Sequence, residues 1–201
     1  MTRRIDITGD VSTLPDYAFG PAALGWWGVI GFMLIEGMGF LLAAGVYLYL
    51  IPLSTTWPPA APPDLRYGTL FTIVLITSLL PNQRLLRAAR GLDLQRTRRG
   101  MLVMIAIGAV LLALRGFELT TLNVRWDDNA YGSIVWAIMF LHTTHLATDF
   151  YDTCPLAAVM FVRRSDGRRF SDVEDNALYW NFVVLAWLPL YGLVYWLPRL
   201  W

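Results

Sequence analysis

Long apolar runs separated by short polar or proline-rich segments organise this chain. The runs cover about residues 24–51, 65–89, 100–122, 131–162 and 177–197, which predicts five membrane-spanning helices. Glu36 alone interrupts the first, whose Trp26, Trp27, Tyr47 and Tyr49 mark its two interfaces. The segment that follows carries Pro52, Pro58, Pro59, Pro62 and Pro63 and reads as loop. In the second run the clean apolar stretch ends at Leu80, so the helix is expected to kink at Pro81 and protrude with a basic end. Pro189 should kink the last helix, and Ser171 with Glu174 has capping-box spacing ahead of it.

The fourth run is where the pattern departs from plain lipid-facing helix. His142, His145, Asp149 and Asp152 fall within roughly 80° of arc on one helical face. Ionisable groups are costly in hydrocarbon, so this stripe must look into a bundle, a cavity or a partner. These residue types suit a metal such as Zn²⁺, but four positions on one helix rise too far to share an ion. A polar seam is the favoured reading, with the aspartates matched to Arg163 and Arg164, and no metal is expected. Arg115 and Glu118, three residues apart in the third run, form a plausible intrahelical ion pair. Glu36 is expected to face the interior, and His145 is its candidate partner.

Composition then sets the class. Of 201 residues, 56% are hydrophobic and 14% aromatic, which describes an integral membrane domain. The net charge of +1 gives no field to attract nucleic acid, and one cysteine, Cys154, leaves no intramolecular disulfide. Cys154 reads as a small buried residue. Residues 1–23 form a polar lead without the pattern of a cleavable signal peptide. All 16 basic residues are arginine. The lead, the 84–99 segment and the 163–176 segment share one side of a five-helix topology and hold most of them. The positive-inside rule therefore predicts a cytoplasmic N-terminus and an external C-terminus. Arg84, Arg87 and Arg90 are candidate contacts for lipid head groups.

Several motifs in order resemble subunit III of the haem–copper oxidases (cytochrome c and quinol oxidases). WWGVIGFMLIE is similar to the family helix carrying an intramembrane glutamate, here Glu36. Trp57-Pro58-Pro59 resembles the WPP of the following loop, and Glu118 falls at the family glutamate that ends the next helix. DDNAYGSIVWAIMFLHTTHL resembles the segment with paired histidines, here His142 and His145. EDNALYWNFVVLAWLPLYGLVYW resembles the terminal segment. Asn181 and Val184 replace the usual histidine and aspartate there, Leu141, Thr143 and Thr144 replace glycines, and Asp149 and Asp152 are additions.

The resemblance implies an all-α, polytopic membrane bundle in the family's five-helix form. It also implies an accessory, non-redox subunit of a terminal respiratory oxidase in the bacterial inner membrane, with no catalytic residues of its own. Haem and copper would sit in the catalytic subunit I, with subunit II nearby and phospholipid bound. Glu36, His142, His145 and Glu118 would be the intramembrane polar and proton-linked groups. The alternatives are a similar companion of nitric oxide reductase and, more distantly, a stand-alone proton or metal transporter using the 142–152 stripe.

Overall fold

The computed structural model describes residues 17–162 and 167–200, and among them every regular element is helical. In chain order these are α1 (Leu24–Leu50), α2 (Leu65–Thr77), α3 (Leu79–Arg90), α4 (Leu94–Leu119), α5 (Ala130–Val162) and α6 (Gly167–Tyr191). The chain leaves α6 through a π-helical segment, Gly192–Trp196, and a short turn, Leu197–Arg199. Four stretches are long and apolar enough to cross a membrane: α1, α2 with α3, α4, and α6 with its continuation. The fifth, α5, is 33 residues long and carries His142, His145, Asp149 and Asp152 across its middle. At ~1.5 Å rise per residue it still exceeds a hydrocarbon core of about 30 Å. The architecture is a five-span helical bundle.

The second span breaks at Ser78, three residues before Pro81. Proline lacks the N–H that would bond back to the carbonyl of residue 77, so the ladder opens one turn upstream. The break is stitched to α6. Trp180 Nε1 donates to Ser78 Oγ (2.8 Å), and Asn82 Nδ2 donates to the Ala177 carbonyl (2.8 Å) and to Asn181 Oδ1 (3.0 Å). Below it, α3 turns tightly into α4 through Gly91 and Leu92, the latter at φ 54°.

α5 runs through the middle, against α1, α4 and α6. α1 packs on α5 and α6 at the edge and buries only Phe40 and Tyr47. The loops gather at two ends. At one, Glu174 accepts from the Gly20 N–H (2.9 Å) and from Arg90 Nε (2.7 Å), while Ser171 Oγ donates to the Ala18 carbonyl (2.7 Å). At the other, the Asp64 N–H donates to the Thr121 carbonyl (3.0 Å), Asn123 to the Pro62 carbonyl (2.9 Å), and Arg199 to the Pro63 carbonyl. Residues 17–23, the α3–α4 turn and the start of α6 thus share one end, as antiparallel succession requires. On the exposed α4–α5 loop, the two guanidinium N–H groups of Arg125 reach both carboxylate oxygens of Asp127 at 2.9 Å. That fork holds the Asp127 carboxyl below the usual carboxylate range.

Two expectations need correcting. Ser171 and Glu174 do not form a capping box, because α6 already runs through Gly167 and both side chains bind the lead instead. Cys154 is half-buried rather than buried. The charges of residues 1–16, the arginines Arg163 and Arg164, and Trp201 lie outside the described residues.

Candidate functional site

Among the described residues, two polar clusters centre on the histidines of α5. The first is built on α4. Arg115 and Glu118 face each other across one turn, NH1 to Oε2 at 2.8 Å, and are 1% and 0% exposed. Isolated charges at this depth would be prohibitive, so every neighbour matters. Tyr195 donates its hydroxyl to Glu118 Oε1 at 2.6 Å. The guanidinium lies between the rings of Phe71 and Trp187, 3.8 and 4.2 Å from their centroids, a desolvated cation–π sandwich worth about 2 kcal/mol or more. Trp187 is itself held by its indole N–H donating to Thr72 Oγ1 (2.8 Å).

His142 closes this cluster and its chemistry can be read from its partners. Arginine only donates, so Nδ1 must accept from Arg115 NH2 at 2.9 Å. A carbonyl only accepts, so Nε2–H must donate to Val183 at 3.1 Å. The geometry therefore selects the neutral Nε2–H tautomer and uses both ring nitrogens.

The second cluster joins α1, α5 and α6. His145 Nδ1–H donates to the Leu141 carbonyl at 2.5 Å, which leaves Nε2 facing Glu36 Oε1 at 3.3 Å. Tyr179 donates its hydroxyl to the other oxygen, Oε2, at 2.8 Å. Nε2 and Oε1 form an ion pair when the imidazole is protonated. Phe40 covers the imidazole, ring centroids 4.7 Å apart.

Glu36 and Tyr179 also line a cleft of 630 Å³ that extends from mid-helix to Gly25 and Asp175 near the start of α1. Asp152, Asp172 and Asp175 line it too. Asp149 is buried behind them, with Asn176 Nδ2 3.5 Å from Oδ1. The 142–152 stripe therefore does not share one environment: its histidines serve different clusters, Asp149 is enclosed and Asp152 is exposed. Among the described residues no group of three or more His, Cys, Asp or Glu is placed to hold a metal ion. Each imidazole is engaged on both sides by neighbouring groups.

The family described as "Cytochrome c oxidase subunit III" matches residues 27–199. The chain belongs to the cytochrome c oxidase subunit III family. Cytochrome c oxidase subunit 3 of Synechocystis sp. is 27% identical over 182 residues, covering 88% of this chain and 77% of the relative. That of Thermostichus vulcanus is 25% identical over 177 residues, covering 86% and 87%. A probable subunit 3 of Nocardia farcinica is 26% identical over 148 residues, covering 69% and 70%. The family match spans all five helices, including both polar clusters.

Several site residues have no clear signature in the chain. Tyr179 and Tyr195 read as packing aromatics, yet their hydroxyls complete the two clusters. Arg115 reads as the intrahelical partner of Glu118 only, although a buried guanidinium with one carboxylate still needs an acceptor. Of the lipid candidates, Arg84 and Arg87 line an open groove while Arg90 turns inward to Glu174.

Proposed function

We propose that this chain is the accessory, non-redox subunit III of a terminal respiratory haem–copper oxidase in the bacterial inner membrane. The observation that carries this reading is the engagement of both histidines inside a family-matched bundle, three ring nitrogens in hydrogen bonds and the fourth, His145 Nε2, facing Glu36 at 3.3 Å. With both imidazoles so engaged, electron transfer belongs to a partner, the catalytic subunit I, with subunit II beside it. The N-terminus is cytoplasmic and the C-terminus external, in keeping with the arginines of 84–99 lying at the end that gathers the lead.

What this chain adds is mechanical and protonic. The Arg115 cluster ties α4, α5 and α6 together through the interior, giving the partner a rigid surface. The Glu36–His145 pair keeps one proton within the membrane, reached from the acidic cleft at the cytoplasmic end, and so supports proton uptake by the neighbouring catalytic subunit. Bound phospholipid seals the bundle against it.

Purification of the tagged chain in mild detergent, with a visible spectrum and identification of co-eluting proteins, tests the assignment. Haem absorption with a large membrane subunit carrying oxidase ligands is the expected result. A colourless chain recovered alone at full yield would overturn it, and a nitric oxide reductase subunit in its place would reassign the complex.

A further inference from the structure

The tight turn between α3 and α4 sets two pairs of arginines across a groove of 650 Å³. Arg84 and Arg87 come from α3, Arg96 and Arg99 from α4, and all four are exposed. Asp93 is the one acidic residue in the lining, and it pairs with Arg96 at 3.2 Å. Among the described residues Arg84, Arg87 and Arg99 have no carboxylate within 4.0 Å. The groove thus carries uncompensated positive charge while the rest of its wall is apolar: Pro81, Leu85, Ala88 and Val103. Val103 is 46% exposed, and Val110, two turns further along α4, is 51% exposed. A cationic mouth above an apolar track has the shape of an amphiphile.

We propose that the α3–α4 groove binds an anionic phospholipid, its phosphate between the arginines of the two helices and an acyl chain along Val103. This rests on the membrane-subunit reading above and gives its lipid contact a place and a charge preference. Arg90 is not part of the groove, because Glu174 holds it from the other side of α3. Gly100 favours the close approach of α3 and α4 beside the groove, since a Cβ there would meet Leu85 Cδ1 at 3.0 Å and Cβ at 3.2 Å.

The test uses the full chain, with any co-purifying subunits, reconstituted in vesicles of equal phosphatidylglycerol and phosphatidylcholine. After re-extraction in mild detergent, retained lipid is counted by native mass spectrometry. Phosphatidylglycerol should exceed phosphatidylcholine roughly tenfold or more. R84Q/R87Q/R96Q/R99Q should bring the ratio close to one. The four-lysine counterpart should keep most of it, and R168Q/R169Q, at the same end but outside the groove, should leave it unchanged. If the four-glutamine variant does not fold, R87Q/R99Q and Gly100→Leu, which keeps every charge but parts the helices, should each lower the ratio.

Equal retention of both lipids by the wild type, or an equal loss in R168Q/R169Q, would overturn the proposal. So would displacement of the lipid by millimolar inorganic phosphate, which would make the groove a site for soluble anions. Haem is read on the same samples. Lost lipid preference with haem retained bears on this groove, and lost haem with the preference intact bears on the oxidase assignment.

Discussion

Arg115 carries the largest single consequence of any side chain in the bundle. Truncating it leaves the Glu118 carboxylate buried without its counter-charge, a situation that costs about 3–5 kcal/mol. Arg115→Met should therefore lower the thermal midpoint sharply in detergent, and Arg115→Met/Glu118→Leu should recover a substantial part of that loss. A double variant as unstable as the sum of its singles would show that the pair is not coupled. Glu36 calls for a finer comparison. In Glu36→Gln the amide N–H₂ can donate to His145 Nε2 and the carbonyl can still accept from Tyr179, so the bonds survive while the exchangeable proton is gone. The expected outcome is a normal haem yield with slower proton-coupled turnover. In Glu36→Leu both bonds go, and stability should fall by about 1–3 kcal/mol as well. Unaltered turnover in Glu36→Gln would confine the pair to a structural role.

At the scale of elements, the α3–α4 turn is closed by a reverse-turn cap in which the Asp93 N–H reaches the Ala88 carbonyl (3.0 Å) and Leu92 takes the left-handed conformation. That conformation costs a side-chain-bearing residue about 1–2 kcal/mol. Leu92→Gly should raise the thermal midpoint accordingly, because the exposed leucine side chain contributes little in exchange. The opposite sign is expected at Gly68. A Cβ there would lie 2.5 Å from the Tyr195 ring, so Gly68→Ala should displace Tyr195 from Glu118 and cost about 1–3 kcal/mol. The apolar residues of α1 run all round, so no periodicity in the chain distinguishes a lipid-facing side from a bundle-facing one. What orients it is Glu36, the polar group that has to turn inward.

For the whole molecule the alternation of loops predicts sidedness. With Cys154→Ala as background, Leu92→Cys should react with an impermeant thiol reagent only from the cytoplasmic face, and Asp127→Cys only from the external face. Labelling of both from the same face would contradict an odd number of crossings between them. The distribution of exposed apolar surface points to how the subunit is used. α1 leaves Leu34, Ile35, Leu41 and Leu42 uncovered, whereas the interior of α5 and α6 is closed by aromatic and charged contacts. A rigid interior with an apolar exterior suits a chain that works by packing within the membrane.

Much of this was legible in the linear pattern. Five apolar runs, a proline-rich loop, and arginine on alternate loops determine the class, the number of spans and their succession, because the bilayer leaves so few alternatives. The intramembrane positions of Glu36, Glu118, His142 and His145 follow from the same constraint. Spacing along α4 even indicates the Arg115–Glu118 pair, since one helical turn brings them together. What lies across helices was not legible. Nothing in the order of residues says that Tyr179 meets Glu36, that His142 accepts from Arg115, or that Ser171 and Glu174 serve the lead rather than a helix cap. Those contacts depend on which rotational face each helix presents. In apolar helices that face is chosen by packing and by the pairing of buried polar groups, so the tertiary structure alone decides it.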